Sequence, residues 1–488
     1  MSADYTSDLK IVPVLSTEIK NRIVGPDEIL RCIDTGALYI AGPGGKPQLM
    51  MASTASPSGE NAFSAGMRGF SASGLDFPTV IPPPSWFDVA PPFQISRVGG
   101  IVQHGYVRDA WKTPGTAVLW VSATRGNDTT GDGSYAAPYL SWLKVMSMVA
   151  AHGTTIYAEA GVWDRRYCMG LATMPDYDIN VIAVGGTAVS SCRYEKSGAA
   201  NYTLQGDGTY TPTSARSATT CAIDKKFRDA RGVPSRLKLV LSQAECAATP
   251  GSMYIGPSTF YVRLQDDRAP DTDLVVFLGS YNGNIKLGRK YYFQGIEFEG
   301  GNDAFYNTNT VTAGSRLVFD SCGFTHSMGN GLTAYGVPTV ISANCYAYNN
   351  RQDGFNYHQG TVNLLPVFAV EIDCQSYSNG EADGANNDNG STLHENCRAI
   401  RIRTLAGNNI GPTFADVGTS KSWNLDCIDF GTAAGVNATN QNVGFGVYDT
   451  AMMALDGCCS VGSPIQSYKQ ASATLQAKGG NIPGLASY

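Results

Sequence analysis

The chain has 488 residues, with 55 Gly, 25 Tyr, only 16% charged residues and a formal net charge of -6. That balance argues against a nucleic-acid partner, because duplex binding needs a basic surface to displace counterions. No apolar run is long enough for membrane insertion as a helix. Abundant glycine and sparse charge suit a turn-rich β protein, long enough for one repeat array with an attached module.

The N-terminal stretch MSADYTSDLKIVPV lacks a basic start followed by a long apolar run, so no secretory signal is expected. Residues 1–50 hold the β-like runs KIVPVL and ALYIAG, which predict a small separate β module. Residues 51–116 are rich in Ser, Gly and Pro and include the cluster IPPPSWFDVAPPF, as expected of a linker or an extended segment held by neighbouring chains. From Ala117 the chain reads AVLWVS, a polar turn, YLSWLKVMSMVAAH and GTTIYAEAGVW. This order predicts strand, loop, short amphipathic helix and strand, with Leu140, Leu143, Val145, Met146 and Val149 near helical spacing. A helix there would cap the exposed apolar end of a β array. Residues 190–290 carry less regular strands such as LKLVLS, TFYVRL and LVVFLG.

A repeat follows. GIEFEGGNDAF from Gly295, CGFTHSMGNGL from Cys322, CYAYNNRQDGF from Cys345 and CQSYSNGEADGA from Cys374 share an aromatic near the start and an Asp or Asn before Gly or Ala. Their spacings are 27, 23 and 29 residues, and Cys397, Cys427 and Cys458 extend the series. Asn344, Asp373, Asn396 and Asp426 stand directly before their cysteines. The pattern predicts a parallel β-helix whose coil positions stack at about 4.8 Å, with a buried cysteine ladder and Asx-rich turns. The twelve cysteines are then buried reduced thiols, and with no CxxC pair neither a metal site nor a cofactor is expected.

The segments LWVSATRGNDTTGDGSYAAPYLSW and GTTIYAEAGVW, with YYFQGIEFEGGNDAFY and the coils after it, resemble right-handed parallel β-helix domains of the pectate-lyase-like superfamily over residues 117–460. DGFNYH (353–358) and NGSTLHEN (389–396) resemble segments of bacteriophage tailspike β-helices, and DEILRCIDTGALYIAG resembles virion-attachment modules of tail fibres. The resemblance implies an all-β, right-handed parallel β-helix solenoid capped by a short helix, with an N-terminal virion-attachment-like module. It also implies a homotrimer docked to tail or baseplate proteins, made in the host cytoplasm and binding a bacterial surface glycan. Residues 461–488 form a short C-terminal tail, where this family commonly carries a large trimerisation domain.

On the aligned coils Asp303, Asn330, Asp353 and Asp383 fall at one turn, so Asp353 and Asp383 would lie about 5 Å apart in backbone spacing. Paired carboxylates are the machinery of glycoside hydrolysis, and like charges on neighbouring rungs split their pKa values. An Asp/Asn turn ladder that only holds backbone amides explains the same residues. A second register, with Asp353–His358 over Asn389–His394, stacks the histidines but leaves few residues before Cys397, so Asp383 is preferred as the rung. That choice makes Glu371 and His394 neighbours, a carboxylate beside an imidazole for acid/base work, with His358 and Glu395 on the same face. Tyr346, Tyr348, Tyr357 and Tyr377 offer flat surfaces for sugar rings. The expected function is binding, and hydrolysis rather than lyase cleavage, of a surface polysaccharide; a non-enzymatic fibre or structural virion protein is the alternative.

Overall fold

The structure, a computed structural model, describes residues 79–488 except 99, 215–218, 229–231, 283–285, 287, 308–311, 382–387, 434–441, 483–484 and 487–488, and before residue 79 only four strand backbones. The chain divides into two units, Met1–Phe77 and Pro78–Tyr488. In the first, Lys10–Val14, Glu28–Cys32, Leu38–Ala41 and Pro47–Met51 form a four-stranded sheet in that order, parallel in its first pair and antiparallel after it. This is the expected small N-terminal β module. Residues 52–78 of the expected linker lie outside the described residues.

The second unit is a parallel β-helix solenoid built from three sheets. In one coil, Thr339–Ala343 lies in the first sheet, Tyr346–Tyr348 in the second and Phe355–His358 in the third. The next coil stacks Phe368–Ile372, Gln375–Tyr377 and Ser391–Leu393 on these strands, parallel and in register. The N-terminal end is closed by the helix Trp142–Ser147, whose Ser141 hydroxyl caps the Lys144 N–H. Trp142, Val145 and Met146 enter the core, whereas Leu143, expected on the buried stripe, is exposed. Trp142 takes that place, packing against Trp163 at 5.2 Å between ring centroids. Among the described residues no helix is long and apolar enough to cross a membrane.

Strands of the first sheet read LVF, VIS, AVE and AIR because both faces are covered. Leu317, Val340, Ala369 and Ala399 point into the solenoid, while Val318, Ile341, Val370 and Ile400 pack outward against Ile81, Phe87, Ile95 and Val102. The segment that holds the proline cluster, with the residues after it, is thus a strap on this chain's own first sheet. Arg97 bonds Asp426 and Asp456 at 2.9 and 3.1 Å, and Arg108 bonds Asp320 at 2.9 Å.

At the corner after each first-sheet strand one residue takes a left-handed conformation, which Asn and Asp tolerate best. Ser321, Asn344, Asp373, Arg403 and Asp426 do so at φ between 50 and 55°. The next residue begins a ladder: Cys322, Cys345, Cys374, Cys427 and Cys458 each aim the thiol at a carbonyl of the preceding coil, 3.1–3.5 Å away. All eleven cysteines among the described residues are free. Cys397 is not in the ladder. Arg398 pairs with Phe368, so Cys397 precedes a first-sheet strand, and Thr404 holds the rung between Cys374 and Cys427.

The third sheet corrects the expected register. Phe355 pairs with Ser391, which places Asn389, not Asp383, on the rung after Asp353. Asp383 itself lies outside the described residues. Successive rungs approach so closely that a Cβ on Gly331, Gly354 or Gly390 would lie 2.5–2.7 Å from the next coil's carbonyl oxygen. Gly390→Ala should therefore destabilise the protein by about 1–3 kcal/mol, the usual cost of overpacking, and lower the melting temperature measured by circular dichroism. If residues 385–389 instead formed a projecting turn off the Asp383 rung, the substitution would leave the melting temperature unchanged.

Candidate active site

Asp303 and Asp353 are members of a turn ladder. Asp303 Oδ1 accepts the Asn330 N–H at 2.8 Å, Asn330 Oδ1 accepts the Asp353 N–H at 2.9 Å, and Asp353 Oδ1 accepts the Asn389 N–H at 2.6 Å. Burial pushes Asp303 up to about 6 and Asp353 up to about 7.

Glu371 and His394 are not neighbours. Glu371 is fully buried inside the solenoid, paired in register with Arg401, and its Oε1 accepts the Ser391 hydroxyl at 2.6 Å. Burial raises its pKa despite Arg401. His394 instead stacks on His358 at 3.9 Å, in a column continued by Tyr335 at 4.6 Å. His358 Nδ1 lies 3.3 Å from both Glu395 oxygens. This column edges a pocket of about 430 Å³ lined by Asp353, His394, Tyr448 and Tyr468. Burial, then the charge of His358, hold His394 down near 4. Tyr357 points into the core and presents no ring to solvent.

A different constellation lies on the outer face of the second sheet. After Cys192 the chain leaves the solenoid and builds a lobe of two small sheets before returning at Tyr281. The lobe docks on the second sheet through Phe277 stacked on His326 at 5.8 Å, the Asn349 side chain bonded to Pro234 O at 2.9 Å, and Arg236 paired with Glu381 at 3.3 Å. Between lobe and sheet is a cleft of about 330 Å³. Glu297, Glu299, His326, Tyr348 and Tyr377 form its floor, and Lys225 and Arg228 stand on the lobe side.

Glu297 and Glu299 sit two apart on one strand, hence on one face, with backbones about 6.6 Å apart. Their surroundings push them in opposite directions. Glu297 accepts the Thr325 hydroxyl at 2.9 Å and the Tyr346 hydroxyl at 3.2 Å, but burial and the charge of Glu299 push it up to about 7. Burial of Glu299 is outweighed by Arg193, 2.5 Å from Oε2, together with the Ser191 hydroxyl at 2.5 Å, so Glu299 titrates below the ordinary range. His326 is held down near 4 by burial, and its Nδ1 meets the Asn349 amide at 2.9 Å. Tyr346 reaches Glu297 across Gly323, where a Cβ would fall 2.5 Å from the tyrosine ring. Tyr346, Tyr348 and Tyr377 stack in turn at 5.7 and 5.3 Å.

The site thus keeps three of the four expected tyrosines and adds Glu297, Glu299 and His326. The alternation in IEFE carried the signal, but aligning Gly295 with Cys322 hid it. Glu297 pairs with Gly323, so the residue that matches Cys322 is Ile296. A slip of one residue turns every side chain to the opposite face, and both glutamates then appear to point inward.

No family model matches the chain, and no curated protein does either. Among solved structures, it is similar to the complex of XylC with xylose at 11% identity and a TM-score of 0.48, covering 74% of this chain and 67% of that one. Pectate lyase Pel9A follows at 13% identity and 0.33, covering 76% and 80%. The tailspike protein gp49 from Pseudomonas phage LKA1 matches at 11% identity and 0.15, covering 67% and 64%. The fold assignment rests on the strand pairing described above.

The raised carboxyl in the turn ladder sets a pH dependence. Asp353 takes up its proton in the folded state near pH 7, well above the ordinary carboxylate value, so its contribution to stability is complete below about pH 4 and is lost as pH rises through 7. Asp353→Asn keeps the acceptor for Asn389 without the charge. Relative to wild type, the variant should gain on the order of 2–4 kcal/mol between pH 5 and pH 8 in denaturant titrations. Parallel stability curves for the two proteins would refute the ladder role.

Proposed function

We propose that the protein is a glycoside hydrolase of a phage tailspike, which binds a bacterial capsule, O-antigen or exopolysaccharide over the second sheet and cleaves it during host adsorption. The observation that carries this reading is the pair Glu297 and Glu299, two carboxyls on one strand face with ionisation pushed apart, at the floor of a tyrosine-flanked cleft. Glu297, protonated up to about pH 7, donates the proton to the leaving oxygen. Glu299, held ionised by Arg193, activates water, and a backbone spacing of about 6.6 Å leaves room for that water as in an inverting pair. Tyr348 and Tyr377 line the cleft floor and offer aromatic surface and hydroxyls to sugar rings. Catalysis is assigned here rather than to Asp353, Asp383, Glu371, His394, His358 and Glu395. The sequence resemblance supports a homotrimer on the virion, with the N-terminal module docking to tail or baseplate proteins.

A second reading, a non-enzymatic receptor-binding fibre, is favoured by the tight bonding of buried Glu299 to Ser191 and Arg193, which also suits a structural ion pair. Incubation with a panel of surface polysaccharides that includes the host's decides between them. The hydrolase reading expects new reducing ends, reduced roughly 10²–10⁴-fold in Glu297→Gln and Glu299→Gln proteins that keep the wild-type melting temperature. It also expects kcat/KM to fall as pH rises through about 7, where Glu297 loses its proton. Retained glycan binding without new reducing ends establishes the fibre. Light scattering at three times the chain mass checks the trimer.

A further inference from the structure

The geometry points to a binding site for one divalent transition-metal ion, of the zinc, nickel or copper kind, formed by His358, His394 and Glu395. Among the described residues these are the one set of three His, Cys, Asp or Glu side chains whose ligand atoms converge, all within 4.8 Å of one another. A tetrahedral ion with bonds of about 2.0–2.1 Å needs ligand atoms about 3.3 Å apart. The His358 Nδ1 to Glu395 distance is already 3.3 Å. The remaining closure falls to the two imidazoles, whose rings lie 11° from parallel at 3.9 Å. Lone pairs lie in the ring planes, so both nitrogens meet one ion only when the rings leave their face-to-face stack, each turning by about 55° toward the ion.

The donor set selects the ion class. Two imidazole nitrogens and one carboxylate suit borderline transition ions, whereas calcium and magnesium prefer all-oxygen shells. The site is also held from outside. The Glu395 carbonyl accepts both the Thr419 N–H at 2.8 Å and its hydroxyl at 3.0 Å, which fixes the backbone that carries the carboxylate. Half the Glu395 side chain is exposed, which gives an ion a way in. Three protein ligands leave a fourth position for water beside the pocket lined by Asp353, Tyr448 and Tyr468. The sequence predicts no metal here because no short spacing announces one: 37 residues separate His358 from Glu395, and only stacking joins them. The site stands independently of any chemistry in the Glu297 cleft.

The test is calorimetric titration of the metal-free full chain with zinc chloride, and copper loading read by electron paramagnetic resonance. One equivalent of zinc should bind and raise the melting temperature, and the copper spectrum should show nitrogen coupling from two imidazoles. Binding should weaken by about tenfold or more in both His394→Ala and Glu395→Gln, and stay at the wild-type level in His152→Ala, which lies on the exposed surface elsewhere. Should His394→Ala fail to fold, the half-exposed Glu395→Gln carries the comparison. The proposal is overturned if no equivalent of zinc binds, or if Glu395→Gln binds as wild type does.

Discussion

The constraint on which the rest depends is in-register parallel stacking: each coil lays its side chains on the equivalents of the coil before, about 4.8 Å away. A position is therefore never solitary. Whatever it carries must tolerate a near copy above and below, and the ladders show the permitted solutions. Small thiols reach a carbonyl of the preceding coil, as Cys345 and Cys374 do. Amides pass one hydrogen bond along the axis, as Asn350, Asn379 and Asn409 do at 3.0 Å per step. Rings stack, as in the column Tyr335, His358, His394.

Stacking closes the solenoid on itself, so anything that singles out a place on its surface must be added from outside the repeat. Two additions do this. The strap of residues 79–113 packs on the outer face of the first sheet from Asn180 onward. The lobe inserted between Cys192 and Tyr281 stands over the second sheet and turns one stretch of a flat tyrosine-bearing surface into a cleft. It also delivers Arg193, at the point where the chain departs, to Glu299. The insertion therefore makes both the concavity and the asymmetry of the glutamate pair.

The solenoid, its capping helix and the ladder of turn residues were legible in the sequence because stacking writes itself as a repeat of polar corners and small buried residues. Register was legible only in part. Cys397 mimics a ladder cysteine, since it too follows an Asx residue, but ladder membership depends on the left-handed corner at Arg403, which composition does not announce. At Gly295 the opposite error arises: glycine occupies the left-handed corner itself, one place before the ladder, and looks like a small ladder residue. The first slip made Glu371 and His394 false neighbours. The second concealed Glu297 and Glu299. The lobe was illegible for another reason, because its strands obey no coil period.

Stacking also explains where carboxylates can be placed. Two like charges one rung apart, about 4.8 Å, repel by roughly 3 kcal/mol at an effective dielectric of 20. The buried columns avoid this by alternation. Asp303, Asn330, Asp353 and Asn389 run acid, amide, acid, amide. Ser342, Glu371, Arg401 and Asn424 flank one acid with a hydroxyl and a cation. Glu297 and Glu299 escape the rule differently, by lying along one strand instead of across rungs. Their rung neighbours are Gly323 and Thr325, which bring no charge. With Arg193 paired directly to Glu299 and acting on Glu297 only from farther off, one carboxyl keeps its charge and the other its proton. That division is a consequence of where the solenoid has room for a second acid.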